Sequence, residues 1–119
     1  VQPQGVGQRT GAAPAPTART GSPGYLYVVK GDRQGQSIPL HHGFRIGKAP
    51  SCDLVLAADN FASTFHAHIQ VDKGGNATLV DDNSTNGTFV NGVRATAPKR
   101  LMHGMLIRCG QTELRFMQG

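Results

Sequence analysis

The strongest constraint on this chain is its rhythm of short apolar runs and turn residues. From Tyr25 onward, β-branched and aromatic stretches of four to six residues alternate with Gly, Asn, Asp or Pro every eight to twelve positions. No window sustains a 3.6-residue apolar period, so helices are not expected. Strands are expected over 25–29, 36–40, 44–47, 53–56, 66–71, 77–81, 88–90, 93–94, 105–109 and 112–117. In the fifth of these Ala67, Ile69 and Val71 share one face. Asn91-Gly92 is a strong two-residue hairpin signal, because both positions tolerate φ > 0. Many short strands with regular turns indicate a β-sandwich or barrel.

The first 24 residues differ in kind. They are rich in Gly, Pro, Ala, Gln and Thr, with no periodic apolar pattern. Such a segment buries too little surface to order itself, so 1–24 is read as a disordered linker or tail and 25–119 as one domain. Thr10, Thr17 and Thr20 lie near basic residues there, as kinase sites often do. With no initiator Met and no signal-peptide pattern, the chain is read as a fragment of a longer protein. No apolar run approaches the roughly 18 residues of a membrane span, and membrane insertion is not expected.

Charge points away from nucleic acid. The net charge is +5, with Arg9 and Arg19 in the first 24 residues and ten Lys/Arg against seven Asp/Glu in the rest. Only Lys99-Arg100 are adjacent basic residues, and with Arg94 they read as a solvated face. A nucleic-acid platform usually carries a denser basic stripe. Cys52 and Cys109 form no C-x-x-C pair, which suits buried thiols in a reducing compartment and hence a cytoplasmic location. His41, His42, His66, His68 and His103 lack acids or cysteines at ligand spacing, so no metal or cofactor is expected. Catalysis is not expected either: P-loop, dinucleotide, nucleophile-elbow and zinc-protease motifs are all missing, and nothing orients Ser63 and His66 as a catalytic pair.

Two clusters carry chemistry. One runs from Phe44 through Gly47-Lys48 to Ser63-Thr64-Phe65-His66; the other is Asp81-Asp82-Asn83-Ser84-Thr85-Asn86-Gly87-Thr88, followed by Asn91-Gly92. Small hydroxyl and amide residues on a flexible backbone can aim several neutral donors at one anion, and a neighbouring cation completes such a site. In order and spacing these motifs strongly resemble the forkhead-associated (FHA) family of phosphopeptide-binding domains over about 25–119.

The resemblance implies an eleven-strand β-sandwich with its binding loops at one end, recognising phosphothreonine in an extended peptide. It implies that Ser63 and Thr85 donate to the phosphate and that Lys48 stands where the family usually has arginine. Asn86 would hold the peptide backbone, and Thr64 would replace an Asn contact through its hydroxyl. His66 would brace the loops from behind, with Gly47 and Gly87 supplying backbone conformation and Asn91 the supporting hairpin. Phe61 and Phe65, where many members carry Arg or Asn, would form an apolar shelf or simply pack. The expected partners are a phosphothreonine-containing protein and an upstream Ser/Thr protein kinase. The alternative is a phosphate-independent scaffold or oligomerisation domain that keeps the fold.

Overall fold

Alternation along each strand decides which side chains turn inward. In the computed structural model, which describes residues 23–118, eleven strands are present: β1 Tyr25–Lys30, β2 Ser37–Pro39, β3 Phe44–Gly47, β4 Leu54–Val55, β5 Ala67–Val71, β6 Ala77–Asp81, β7 Thr88–Val90, β8 Val93–Arg94, β9 Lys99–Arg100, β10 Leu106–Cys109 and β11 Thr112–Met117. The segment 1–22, most of the expected linker, lies outside the described residues. Just before β1, the Gly24 carbonyl accepts the Leu40 N–H.

The strands form two sheets, ordered β2-β1-β11-β10-β7-β8 and β4-β3-β5-β6-β9. Leu26, Val28, Ile107, Leu114 and Phe116 face inward from the first; Phe44, Ile46, Leu54, Ile69 and Leu79 face them from the second, all essentially inaccessible to solvent. Each such side chain contributes roughly 1.5–3 kcal/mol by leaving water. Two sheets burying one face each is the sandwich that the period-2 pattern demands. Among the described residues, no helix is long and apolar enough to cross a membrane.

Asn91 (φ 51°) and Gly92 (φ 82°) form the tight turn between β7 and β8, with Val90 opposite Val93. The Asn91 side chain also accepts the Leu106 N–H, tying this hairpin to β10. One strand escapes sequence reading. Lys99–Arg100, read as a solvated face, is exposed but also pairs with Leu79 and Thr78 as the outer edge of the second sheet. Its position is held by Leu101, which is buried and donates its N–H to Ala77.

Candidate functional site

The end of β3 is where the first half of the site is built. The Lys48 and Ala49 N–H groups donate to the carbonyls of Ser63 and Thr64, and the His66 N–H donates to Ile46. The loop preceding β5 is therefore laid against the chain leaving β3. Gly47 permits this approach: a Cβ there would lie 2.3 Å from the Thr64 oxygen. Its role is one of space, since its φ is not in the left-handed region. Gly87 differs, with a φ of +87° that disfavours any side chain.

The loop after β6 supplies the second half. Its base is Asp81, which accepts hydrogen bonds from the Ser84 N–H, the Ser84 hydroxyl and the Thr88 hydroxyl. Burial opposes ionisation of Asp81, but those hydrogen bonds outweigh it and hold the carboxyl below its ordinary range. Ser84 and Thr88 are thereby buried and committed to the loop's own architecture. Thr85 and Asn86 lie between them and are exposed.

Three contacts join the halves. The Ser63 hydroxyl oxygen accepts the Thr85 N–H at 2.9 Å. Asn86 Nδ2 donates to the Phe61 carbonyl at 2.9 Å. His66, fully buried, accepts the Ser63 N–H at Nδ1 and donates from Nε2 to the Gly87 carbonyl at 2.9 Å. That pair of bonds specifies the neutral imidazole with its proton on Nε2. Because Ser63 Oγ accepts from Thr85, its own proton remains free to donate outward. Asn86 keeps its Oδ1 and one N–H for a ligand. The exposed Thr85 hydroxyl makes no hydrogen bond among the described residues, and half-buried Lys48 forms no ion pair among them. Thr64 is exposed beside Ser63, with its carbonyl committed to Ala49. The Ser63 hydroxyl, the Thr85 hydroxyl and the Asn86 amide are thus carried side by side on two loops that are bonded to each other.

Phe61 and Phe65 flank Ser63-Thr64 and are 49% and 45% exposed. Phe65 is approached by the Arg45 guanidinium, 5.9 Å from its ring centre. The five histidines are engaged separately: His41 with Asp53, His42 with the Val71 N–H, His66 as above, His68 with Asp82 and His103 with the Gln118 N–H. Cys52 and Cys109 are both buried and free, and burial pushes the Cys109 thiol up to about 12.

Two residues of this region escape sequence reading. Asp59 accepts the Phe61 N–H through one oxygen and the Gln111 N–H, Thr112 N–H and Thr112 hydroxyl through the other. It fastens the Ser63 loop to the β10–β11 turn. Burial opposes its ionisation, but the bonds from Thr112, Phe61 and Gln111 prevail and lower its pKa. Arg94 lies against Gly87: the position of an added Cβ is 2.8 Å from its Nε and 3.0 Å from its Cζ. Neither residue sits in a motif, and their partners are remote or in another element; the only cue is Gly87 itself, whose missing side chain makes room.

The sequence profile described as "FHA domain" matches residues 44–110. FhaB of Mycobacterium tuberculosis (strain ATCC 25618 / H37Rv), an FHA domain-containing protein, is 35% identical over 91 residues, which cover 76% of this chain and 57% of FhaB. FhaB of Mycolicibacterium smegmatis is 36% identical over 93 residues, 76% of this chain and 59% of that protein. The chain thus spans little more than half the length of these curated relatives. A structure from work on phosphothreonine-dependent FHA domain interactions superposes with a TM-score of 0.71 at 32% identity, covering 80% of this chain and 95% of the other. EmbR of Mycobacterium tuberculosis, in complex with a low-affinity phosphopeptide, gives 0.70 at 32% identity, covering 80% of this chain and 24% of EmbR.

Proposed function

Because this chain belongs to the FHA-domain family, we propose that it is a non-catalytic module binding phosphothreonine-containing proteins, placed downstream of a Ser/Thr protein kinase. The observation that carries the reading is the bond from the Thr85 N–H to Ser63 Oγ. It brings the two loops together while leaving both hydroxyl protons free for an incoming anion. A phosphothreonine brings about −1.5 to −2 charges and three strong acceptor oxygens. Ser63, Thr85 and Lys48 bind the phosphate, while Asn86 and Thr64 hold the peptide backbone on either side. His66, Gly47, Gly87 and Asn91 support these residues. Each hydrogen bond to a charged group is worth roughly 1.5–3 kcal/mol. Three or four, less the cost of ordering the peptide, give affinity near micromolar, about −8 kcal/mol. The two buried free thiols support a cytoplasmic setting.

Calorimetry with one threonine peptide, with and without its phosphate, is the test. Binding should require the phosphate, and Ser63→Ala or Thr85→Ala should each cost at least ~1.5 kcal/mol, about tenfold in affinity. Equal binding of both peptides would instead support a phosphate-independent scaffold, which the exposed Phe61 and Phe65 favour.

A further inference from the structure

An antiparallel sheet with one face in water normally alternates apolar-in with polar-out. The first sheet departs from that rule. Leu26, Val28, Ile107, Leu114 and Phe116 are buried. Tyr25, Tyr27, Leu106 and Met117 alternate with them and therefore point outward. They form a continuous surface: Tyr25 is opposite Met117, and Tyr27 and Leu106 stand on either side of Arg115. Tyr27 is 40% exposed and the other three are half-buried. Among the described residues no helix covers this face.

Two arginines stand in the same surface, each held in place and neither neutralised. The Arg108 guanidinium lies over the Phe89 ring, 4.5 Å from its centre. Arg115 donates from Nη1 to the Gly104 carbonyl at 2.7 Å. Neither forms an ion pair among the described residues. Glu113 is the acid in these rows, with Arg108 opposite it on β10 and Lys30 opposite it on β1. Three cations against one carboxylate leave the face positive.

The spacing of the cations selects a ligand. Arg115 lies two residues beyond Glu113 and so stands diagonal to Arg108, roughly 7–8 Å away. Alternate side chains on one side of an extended chain are about 6.6–6.8 Å apart. A further step of two along β11 reaches Met117, beside Tyr25. A segment laid along the strands therefore meets Arg108, then Arg115, then an apolar pair.

We propose that the outer face of the first sheet is a second docking surface, for a partner protein whose extended segment reads acid-x-acid-x-apolar. Its carboxylates pair with Arg108 and Arg115, and its apolar side chain covers Tyr25 and Met117. Because the ring and the carbonyl hold both guanidinium groups before the partner arrives, less ordering cost is left to binding. Two copies of this face would oppose like charges, which disfavours self-association. The Phe89 ring is already taken by Arg108, which counts against stacking of a nucleic-acid base. None of these residues belongs to the phosphothreonine site, and the proposal stands apart from that reading.

The test is an NMR titration of the isotope-labelled chain with three capped peptides. They contain Glu-Ser-Glu-Ser-Leu, Gln-Ser-Gln-Ser-Leu and, with the composition of the first, Glu-Glu-Ser-Ser-Leu. The first should shift the amides of β10 and β11 and bind about three- to tenfold tighter than either control. A saturating phosphothreonine peptide should not displace it. Arg108→Gln and Arg115→Gln should each remove part of the preference and together abolish it. Glu113→Gln, which removes no cation, should strengthen binding of the first peptide. No shifts with that peptide, equal binding of either control, or shifts confined to the Ser63 and Thr85 loops overturns the proposal. So does a preference that survives the double variant, or a loss in Glu113→Gln. An RNA oligonucleotide or a phosphatidylglycerol vesicle that shifts these amides when the first peptide does not would overturn it in favour of nucleic acid or membrane.

Discussion

His66→Ala should damage stability and binding together. The imidazole is completely buried and bridges the two loops through the Ser63 N–H and the Gly87 carbonyl. Alanine leaves both backbone groups inside without partners. Each unsatisfied buried group costs about 1–3 kcal/mol, so the loss is about 2–6 kcal/mol before any cavity term. Against the roughly 5–15 kcal/mol that holds a domain folded, that loss removes a large share of the stability. Its melting temperature should fall by more than about 8 °C, since each kcal/mol shifts a domain of this size by roughly 4–8 °C. His66→Gln serves as a graded control: its amide can still donate toward Gly87 but cannot also accept from Ser63, so it should lie between the two. Urea denaturation with fluorescence or circular dichroism reads the stability. Calorimetry on the folded variants reads phosphopeptide affinity, which should weaken at least tenfold as Ser63 and Thr85 lose their common support. A His66→Ala loss below about 1 kcal/mol, or unchanged affinity in the folded variant, would refute the claim that this histidine sets the spacing of the loops.

Three further outcomes are expected. Gly47→Ala should cost about 3 kcal/mol or more, because its Cβ would lie 2.3 Å from a backbone oxygen; Gly92→Ala, with open space but a φ of +82°, should cost only about 1–2 kcal/mol, and a reversed order in denaturant melts would contradict the close-approach argument. Asp59 and Asp81 have folded pKa values below their ordinary ones, so the stability they confer is complete above about pH 4 and is lost as pH falls through the lower folded values; urea midpoints should drop over that acidic window, and a double Asp→Asn variant showing the same slope would show that other groups are responsible. Lys48→Arg should tighten phosphopeptide binding severalfold by supplying a planar fork; calorimetry showing no gain would remove residue 48 from the phosphate contact.

The strands were readable because a half-buried strand needs an apolar residue at every second position. Leu26 and Val28, Ala67 and Ile69, and Leu114 and Phe116 all display that period and all lie in the core. Lys99–Arg100 has no such signal: the pair is a strand because the β6 edge offers backbone partners at Thr78 and Leu79 and because Leu101 anchors it. The candidate site divides in the same way. Ser63, Thr85 and Asn86 stand in short motifs whose order is visible along the chain. Asp59 does not, because its bonds reach Gln111 and Thr112 across more than fifty residues.

Local chemistry, then, was determined by the residues themselves: which segments extend, where Asn91-Gly92 turns, and which small hydroxyl-bearing loops suit an anion. The tertiary structure decided which atoms are spent and which are free. Only folding places the Thr85 N–H on Ser63 Oγ, His66 between Ser63 and Gly87, and Arg94 on the bare face of Gly87. The physical reason is that hydrogen bonds and close packing depend on distances of a few ångströms between residues far apart in the chain, and no spacing along a sequence records those distances.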